Sequence, residues 1–529
     1  MEKSFFRSGA AVFPLALALA MILTAWTLLS SSHAFASSDK IQTQSAYSSG
    51  ALEPGKTVEI DVLVSIKAPE VMVSKRAPVA VSLVIDRSGS MGEAKKISYA
   101  RQAGQTLVRS LESDDLFALT IYDDKVEVLY PLGKIRNRDQ VLKLIEGIHP
   151  RGWTFLSGGL EKGIEQLASV KTEGPCRVIL LSDGLANSGV TQGELVAAIG
   201  AKAKAKGIAV STIGLGLDFD ENLMQQLAQR GGGQYYYIAD SEALPSVFKD
   251  ELNLIANSFT KDVRVIYAQG KGIEEAKVYG YSTQAQGGET HIDMSDLGSG
   301  EERQVMLRLK VKADAASGAR DLGALKLAYV NQLNGESEEV LVPLSLEAEA
   351  DAAKRNSLEK EREESIRLVR EEALLRKADE AHVLAMRELE QGNIEQAKKN
   401  LALYDAELAA AAPANKVLEN KLAAMQMDSR RLERAASDGA LQKSMAKSAK
   451  ASAYMSYQGV KKGNLLQSGD QGFMVERLQK ALADKGFYKG KVDGSYGKEL
   501  EQAVKAFQKA NSLDADGIAG ARTMQALGL

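Results

Sequence analysis

The hydrophobic pattern changes character several times along the chain. Lys56 to Lys67 alternates apolar with polar residues, as a strand with one buried face does. From Pro78 onward, short apolar runs such as Val79 to Ile85 alternate with stretches of helical period. This alternation predicts a doubly wound α/β domain, whose mainly parallel sheet is covered by helices on both sides.

The predicted parallel strands of this domain have their carboxyl ends at a common edge of the sheet. Its strands are predicted at residues 79–86, 115–122, 125–130, 176–182, 208–215 and 234–239. Its helices are predicted at residues 92–111, 136–147, 157–170, 191–206, 219–230 and 242–256. Residues 115–130 read as a hairpin that adds an antiparallel edge. In such a fold the ligand site lies at the carboxyl ends of the strands.

Strand-like alternation returns after Thr260, with Gly-rich turns between the alternating segments. The segments cover residues 262–267, 304–311, 325–330 and 339–346. They predict a β-sandwich. The strand predicted at 56–67 lies on the other side of the α/β region and can pair with them, which would make the α/β domain an insertion into the sandwich.

The C-terminal third is predicted to be helical. Residues 347–436 are rich in Ala, Glu, Leu, Lys and Arg and lack proline until Pro413, which predicts two long helices and a third after that proline. The stretch that begins at Ala378 resembles a tetratricopeptide hairpin with its turn at Gly392 and Asn393. One such repeat cannot bury its own face, so we interpret it as a spacer or docking hairpin.

Residues 437–464 are rich in Ser, Ala, Lys and Gly, which is typical of a linker; its lysines leave contact with an anionic polymer open. The final residues predict short amphipathic helices near 472–486, 498–510 and 520–527. The predicted organisation is therefore a signal peptide (1–36), an exit segment with strand residues that join the sandwich (37–77), the α/β domain (78–256), the sandwich (257–346), the helical hairpin region (347–436), the linker (437–464) and a small all-α domain (465–529).

The N-terminus has the pattern of an export signal. Lys3 and Arg7 precede an apolar run, and an AxA cleavage pattern ends at Ala36. We expect cleavage after Ala36; the alternative is an uncleaved inner-membrane anchor. Residues 37–54, rich in Ser, Gln and Gly, read as a flexible exit from the signal.

Composition narrows the function classes. The chain has 529 residues, and its 66 Lys and Arg against 69 Asp and Glu give a net charge of −3, which opposes nucleic-acid binding. The single cysteine, Cys176, opens a strand and cannot form an intramolecular disulfide. The four histidines are scattered, and neither HExxH nor GxSxG occurs. We therefore expect that the protein is not an enzyme, although a pair of glycosidase carboxylates cannot be recognised from sequence.

Three motifs place oxygen ligands at the predicted sheet edge. Asp86, Ser88 and Ser90 form a DxSxS motif directly after an apolar strand, Thr154 lies in RGWTFL, and Asp183 lies in LLSDG after another strand. Carboxylates and hydroxyls are hard ligands that suit a divalent cation. The alternative is that the same side chains cap helix N-termini without any metal.

The order of these motifs resembles the von Willebrand factor type A family over residues 78–256. The resemblance implies a metal-ion-dependent adhesion site in which Asp86, Ser88, Ser90, Thr154 and Asp183 hold Mg²⁺, with Mn²⁺ or Ca²⁺ as alternatives. It also implies an open coordination position for a carboxylate from a partner protein. Trp153 departs from the family pattern, which often has glycine there, and either contacts the ligand or packs on its loop.

The last 65 residues resemble the peptidoglycan-binding-domain-like family through LQKAL, VDGSYG, AVKAFQKANSL and DGIAGARTMQAL. The resemblance implies a wall-binding groove. Its candidate contacts are Asp493, Tyr496, Asp516 and Thr523, although the first three can equally serve the turns. Leu500 departs from the pattern, because the first half usually has threonine there.

These features together predict an exported, non-enzymatic adaptor or adhesion protein of the periplasm or cell envelope. It would bind peptidoglycan through its C-terminal domain and a protein partner through the metal site. The alternative is an accessory factor or an enzyme of cell-wall remodelling.

Overall fold

The computed structural model describes residues 40–69, 78–170, 174–238, 244–314, 316–457, 466, 473–494, 496–511, 513, 515, 517, 519, 523, 526 and 527. The predicted signal peptide, residues 1–36, lies outside the described residues. Nearly all of the described chain belongs to one unit, Ile41–Leu529. Among the described residues, no helix has the length and hydrophobicity needed to cross a membrane.

The strands, in chain order, are β1 (Gln42–Tyr47), β2 (Thr57–Lys67), β3 (Ala80–Asp86), β4 (Leu116–Tyr122), β5 (Val126–Lys134), β6 (Cys176–Ser182), β7 (Ile208–Leu215), β8 (Gly232–Ile238), β9 (Thr260–Gln269), β10 (Ile273–Val278), β11 (Thr283–Gln286), β12 (Glu289–Ile292), β13 (Glu302–Lys312), β14 (Gly318–Asn331) and β15 (Ser337–Ala348).

The helices, in chain order, are α1 (Lys96–Ser110), α2 (Arg138–Glu146), α3 (Leu156–Ala168), α4 (Gly193–Lys204), α5 (Glu221–Arg230), α6 (Leu244–Ala256), α7 (Ala352–Glu361), α8 (Glu363–Glu390), α9 (Ile394–Ala402), α10 (Asp405–Ala411), α11 (Lys416–Ser437), α12 (Gly439–Tyr457), α13 (Phe473–Asp484) and α14 (Lys498–Ala510). A 3₁₀ turn, Gly89–Lys95, precedes α1.

The α/β domain contains a six-stranded mixed sheet in the order β5-β4-β3-β6-β7-β8. All neighbouring strands are parallel except β5, which pairs with β4 as an antiparallel edge. The strands β3, β6 and β7 are buried along their whole length, because helices cover both faces of the sheet. Their side chains contribute to two separate hydrophobic clusters, one on each side. The predicted doubly wound fold class is confirmed.

Two antiparallel sheets pack face to face in the second architecture, a β-sandwich. Their strand orders are β1-β2-β13-β10 and β11-β12-β9-β14-β15. One hydrophobic cluster takes residues from both sheets, such as Val64 of β2 and Leu325 of β14. Because β2 precedes the α/β domain and pairs along its length with β13, which follows it, the α/β domain is inserted into the sandwich.

The prediction from composition that residues 37–54 are a flexible segment is wrong for Gln42–Tyr47. These residues form the edge strand β1, which pairs antiparallel with β2 from Gln42 opposite Lys67 to Tyr47 opposite Val62. An edge strand is half solvated, so its Ser and Gln side chains need no burial while its backbone completes the ladder. The polar composition of this segment therefore reflects the solvated side chains of β1 and gives no signal for the strand.

The helical region is more finely divided than predicted. In place of two long helices there is one long helix, α8, accompanied by the short helices α7, α9 and α10, with α11 after Pro413. The α8–α9 connection occurs at Gly392, whose φ of 81° a glycine adopts without strain. One hydrophobic cluster joins α8, α9, α11 and α12, including Met386, Leu401, Met425 and Met445.

The linker predicted at residues 437–464 is wrong for Gly439–Tyr457, which forms the 19-residue helix α12. Its small residues Ala446, Ala449 and Ala453 are buried. Alanine has the highest helix propensity and allows close packing, so a sequence that looks like a solvated linker becomes a packed helix once a partner surface is present. The lysines of α12 contact acidic groups of the α/β domain.

The C-terminal helices α13 and α14 lie at or close to their predicted positions. They form a small core that includes Leu478, Leu482, Leu500 and Phe507. Residues Leu466 and Ala519 form an isolated antiparallel bridge. Of the third predicted helix, 520–527, most residues lie outside the described part, and Thr523 is helical.

Candidate metal-binding site and wall-binding module

Two neighbouring strands carry the acidic residues of the DxSxS and LLSDG motifs to the same edge of the sheet. β3 ends at Asp86, and Asp183 directly follows the end of β6. The strands are parallel, and Ile85 lies opposite Leu181, so both carboxylates leave the sheet at its carboxyl end. Both acidic residues are fully buried.

Hydroxyl groups connect the two carboxylates. The Ser182 hydroxyl donates to Asp86 Oδ2 at 2.7 Å, and the Ser88 backbone N–H donates to Asp86 Oδ1 at 2.7 Å. The hydroxyls of Ser88 and Ser90 lie 3.2 Å apart, and Ser90 Oγ donates to Asp183 Oδ1 at 2.8 Å. The structure thus brings four of the five sequence-predicted ligands into one hydrogen-bonded cluster.

Burial, opposed by hydrogen bonds from Ser88 and Ser182 and supported by the negative charge of Asp183, raises the pKa of Asp86 to about 6. A buried carboxylate beside a second carboxylate loses much of its solvation, and the donors Ser88 N–H and Ser182 Oγ that contact Asp86 carry no charge. Positive charge beside the two buried carboxylates is therefore electrostatically favourable.

Thr154, the fifth predicted ligand, is buried beside the same cluster. Its backbone N–H donates to Asn187 Oδ1 at 2.8 Å, and its carbonyl accepts from the Asn187 N–H at 3.2 Å. A Cβ placed on Gly184 would lie 3.4 Å from Thr154 Oγ1 and 3.7 Å from Ser90 Oγ. The threonine loop, the DxSxS loop and the LLSDG loop therefore meet around Gly184.

Two arginines brace the threonine loop against the DxSxS loop. Arg87 and Arg151 both contact the buried carboxylate of Asp123, at 2.7 and 2.6 Å, and both contact Glu127, at 2.7 and 2.8 Å. Burial would raise the pKa of Asp123, but the hydrogen bonds from the Arg151 side chain and the Lys125 backbone N–H, together with the charge of Arg87, outweigh it and lower that pKa. Sequence reasoning missed this brace, because no local pattern relates the four residues.

Lys96 is a further residue of the site that the sequence did not single out. Its Nζ donates to Asp183 Oδ2 at 2.6 Å, and its side chain is only 8% exposed. It is the first residue of α1, directly after Lys95, whose φ of 58° lies in the left-handed region. The only sequence signal was its closeness to the DxSxS motif.

The donor set fits a hard divalent cation. It offers the carboxylates of Asp86 and Asp183 and the hydroxyls of Ser88, Ser90 and Thr154, all of which are oxygen ligands. Across the described ranges, no group of three or more His, Cys, Asp and Glu could hold a metal. Hydroxyls would therefore have to complete the coordination, as the DxSxS motif provides.

The rim of this site is apolar and cationic. Trp153, next to Thr154, is 70% exposed, and Leu185, two residues after Asp183, is 58% exposed. The Arg151 side chain, two residues before Trp153, is 54% exposed. Trp153 is therefore not packed on its own loop, and it is free to contact a ligand from solution.

In the C-terminal domain, two glutamines hold the two Asp-Gly turns. Gln479 Oε1 accepts from the backbone N–H groups of Asp493 and Gly494, at 3.1 and 2.8 Å. Gln508 Oε1 accepts from the N–H of Gly517 at 2.9 Å. Both glutamine side chains are buried, so each half of the domain uses the same device.

The four candidate wall contacts are not brought together as an exposed set. Asp493 is exposed, and its carboxylate accepts from Gln479 at 3.0 Å. Tyr496 is buried, and its hydroxyl donates to the carbonyl of Gly517 at 2.8 Å. Thr523 is buried, and its Oγ1 accepts from Gln508 at 3.1 Å. Asp516 lies outside the described residues.

Comparison with known families identifies both modules. The sequence model of the von Willebrand factor type A domain matches residues 81–250, and that of the putative peptidoglycan binding domain matches residues 471–527. The two resemblances seen in the motifs are confirmed. Domains of the first family commonly bind a divalent metal at their adhesion site, and both families are typically non-catalytic.

Similar proteins include Uncharacterized protein sll0103 of Synechocystis sp., 22% identical over 59% of this chain and 76% of that protein. YfbK of Escherichia coli is 24% identical over 44% of this chain and 42% of its own length. The spore cortex-lytic enzyme of Bacillus cereus is 44% identical over 63 residues, which are 12% of this chain and 24% of the enzyme. The last match therefore concerns only a small part of each chain.

Solved structures support the fold. A von Willebrand factor type A protein from Catenulispora acidiphila superposes with a TM-score of 0.57 at 14% identity, covering 74% of this chain and 91% of that chain. The ArnB paralog VWA2 from Sulfolobus acidocaldarius gives 0.50 at 17% identity, covering 78% of this chain and 99% of that chain. At these identities the likeness concerns the fold alone.

Proposed function

We propose that this protein is an exported, non-enzymatic adaptor of the cell envelope that holds peptidoglycan with its C-terminal domain and a protein partner with a divalent-metal adhesion site. The observation that carries the proposal is the convergence of Asp86, Ser88, Ser90, Thr154 and Asp183 at one sheet edge. A chain that also matches a peptidoglycan binding domain would join that edge to the wall.

In this proposal Mg²⁺, with Mn²⁺ or Ca²⁺ as alternatives, would bind the five oxygen-bearing side chains. Bound there, it supplies a Lewis-acidic position for an oxygen of the partner. A carboxylate is the ligand that suits this position, because it brings the negative charge that the cation favours.

The exposed apolar residues at the rim of the site favour a partner segment that carries an apolar side chain beside its carboxylate. Trp153 directly precedes Thr154 and Leu185 follows Asp183 by two residues, and both offer large exposed apolar side chains. Exposed aromatic residues next to an orienting polar group are typical of binding hot spots. The brace of Arg87 and Arg151 on Asp123 holds the Trp153 loop in place, which reduces the entropy lost on binding.

The proposed binding to peptidoglycan rests on the C-terminal domain. Its relatives include proteins whose names state wall-lytic activity, namely the spore cortex-lytic enzyme and N-acetylmuramoyl-L-alanine amidase CwlL, which is 46% identical over 67 residues. We take the shared segment as the targeting part of such proteins. Together with the predicted signal peptide, it favours the periplasm as the site of action.

The first experiment uses the chain without residues 1–36 as bait for an envelope extract, in Mg²⁺ or in EDTA. We expect a protein band that is present in Mg²⁺, is lost in EDTA and is lost with Asp86→Ala. The matched control is Asp314→Ala, a carboxylate of the sandwich whose side chain is 85% exposed, which should retain the band. Equal bands in all lanes would contradict the adhesion site.

The second experiment tests the wall half by sedimentation with purified sacculi. The full mature chain should sediment, and a chain that ends at Tyr457 should stay in the supernatant. A full-length chain that fails to sediment would remove peptidoglycan from the proposal while leaving the metal site untouched.

The second candidate function is an accessory factor or enzyme of wall remodelling, which the names of the wall-lytic relatives favour. It predicts soluble muropeptides after incubation of the chain with sacculi. Our proposal predicts none, either for the protein alone or with Mg²⁺. Release by the protein alone would establish an enzyme, whereas release only in the presence of a captured partner would establish an activator.

A further inference from the structure

At the sheet edge, the two carboxylates of Asp86 and Asp183 face one ammonium group, that of Lys96. The hydrogen bonds to Asp86 from the Ser88 N–H and the Ser182 hydroxyl come from neutral donors. Asp183 receives one from Ser90 and an ion pair from Lys96. When both fully buried carboxylates are ionised, the single positive charge of the Lys96 ammonium group leaves one negative charge uncompensated between these three groups.

The position of Lys96 is built into the fold. Its side chain passes over Gly216 at the end of β7, where a Cβ would lie 3.3 Å from Lys96 Cε. Gly216 also has a φ of 68°, so that a side chain is disfavoured there by both space and backbone conformation. The left-handed backbone of Ala94 and Lys95 turns the chain so that Lys96 starts α1 beside Asp183.

The Lys96 ammonium donates a hydrogen bond to Asp183 Oδ2 at 2.6 Å. It therefore contacts a carboxylate oxygen that the proposed cation could otherwise bind. Two positive charges that share one carboxylate repel each other, and the repulsion grows in a site with low dielectric constant. A cation that enters the site must therefore either share Asp183 with Lys96 or displace its ammonium.

We propose that Lys96 is an internal counter-ion that competes with the divalent cation for Asp183. It keeps the metal-free site folded and lowers its metal affinity, so that occupancy follows the cation concentration of the surroundings. This inference rests on the proposed metal site, and it adds a specific regulator of that site.

The test is calorimetric titration of Mg²⁺ into the chain without residues 1–36, comparing wild type with Lys96→Met. We expect Mg²⁺ to bind the variant about tenfold more tightly, because the competing charge is removed. Without metal, the variant should unfold at a lower temperature than wild type, since two buried carboxylates then lack a cation. Mg²⁺ should raise its unfolding temperature more than it raises that of wild type.

The matched control is Lys443→Met. Lys443 is 56% exposed and pairs at 2.8 Å with Asp218, whose carboxylate also feels the charge of Lys96. This control removes a positive charge from the same neighbourhood without touching Asp183. Its Mg²⁺ affinity should stay within about twofold of wild type, because an exposed charge is screened by solvent.

If Lys96→Met fails to fold in EDTA, folding on addition of Mg²⁺ supports the inference, and Lys96→Gln provides the affinity comparison because its amide preserves a hydrogen bond to Asp183. Unchanged or weaker Mg²⁺ binding by the variants, with binding by wild type intact, overturns the role of Lys96 alone. If wild type itself binds no Mg²⁺, and Asp86→Ala behaves identically, the proposed metal site fails together with this inference.

Discussion

Lys447 of α12 and Glu221 of α5 form an ion pair with an N–O distance of 2.6 Å, although 226 residues separate them in the chain. Lys450 contacts the same carboxylate. Lys447 also donates to the carbonyl of Phe219 at 2.8 Å and lies 3.8 Å above the centre of the Phe219 ring. These contacts attach the helix that precedes the C-terminal domain to the α/β domain.

Substitution of Glu221 by Gln should therefore destabilise the protein strongly. Two lysines, one of them almost fully buried, would lose their common carboxylate. Removal of one partner of a buried pair typically costs about 3–5 kcal/mol. Urea unfolding followed by circular dichroism measures the loss.

The matched control for this substitution is Glu194→Gln on α4 of the same domain. Glu194 pairs with Arg230 at 3.1 Å, but its side chain is 79% exposed. An exposed pair of this kind contributes about 0–1 kcal/mol. Equal losses for the two variants would mean that α12 contributes little to the stability of the α/β domain.

The same carboxylate predicts a pH dependence. Burial would raise the pKa of Glu221, but hydrogen bonds from Lys447 and Lys450 outweigh it and lower that pKa to about 2, from an ordinary value of 4.5. Because the folded protein binds this proton less readily than the unfolded chain, the stabilisation is complete above pH 4.5 and is lost as the pH falls towards 2. The free energy of unfolding of wild type should therefore fall more steeply over this range than that of Glu221→Gln.

Trp153→Ala should weaken partner capture without affecting the metal. The indole is 70% exposed and contributes no metal ligand, so that Mg²⁺ titration should give the wild-type affinity. Loss of an aromatic contact at the centre of an interface costs about 2 kcal/mol or more. The band captured from envelope extract in Mg²⁺ should therefore be depleted or absent.

Leu341→Ala is the control for the rim. Leu341 lies on β15 of the sandwich and is 62% exposed, so that its removal deletes a similarly exposed apolar group away from the sheet edge. Its captured band should equal that of wild type. A normal band with Trp153→Ala would show that the partner does not contact this part of the rim.

Gln479→Ala should destabilise the wall-binding domain. The substitution leaves the N–H groups of Asp493 and Gly494 without their side-chain acceptor. A buried donor left without an acceptor, as the Gly494 N–H would be, costs about 1–3 kcal/mol, and the turn at Asp493 should lose its shape. We expect a lower unfolding temperature for this domain and reduced sedimentation with sacculi.

Lys485→Ala serves as the control, because Lys485 is exposed at the end of the same helical segment. It should leave both unfolding and sedimentation unchanged. Normal sedimentation of a fully folded Gln479→Ala variant would show that the Asp493 turn does not form the wall contact.

Much of the α/β domain was predictable because local pattern and fold agree there. The continuous apolar run that ends at Asp86 and the run that ends at Ser182 are strands buried on both faces, and such strands lie in the middle of a parallel sheet. The carboxyl ends of parallel strands share an edge, so the motifs on them had to converge. The edge strand β1 and the helix α12 were missed, because their polar composition describes their solvated faces only.

The wall-binding candidates were harder to predict for a different reason. Candidate contacts such as Asp493, Tyr496 and Thr523 are recognisable in sequence, but sequence does not distinguish a side chain that faces solvent from one that holds the fold. The structure buries Tyr496 and Thr523 and leaves Asp493 exposed. The buried glutamines that organise both turns have no signal except their repeated position in the two halves.

The sequence by itself determined the order of the two modules, the parallel sheet and the placement of five oxygen-bearing side chains at its edge, because periodicity and strand direction are local properties that the fold preserves. Only the tertiary structure decided that Lys96 reaches Asp183, that two arginines share Asp123, and that α12 packs on Glu221. These contacts join residues distant in the chain, and their energies depend on burial and on charge pairing that exist only after the chain has folded.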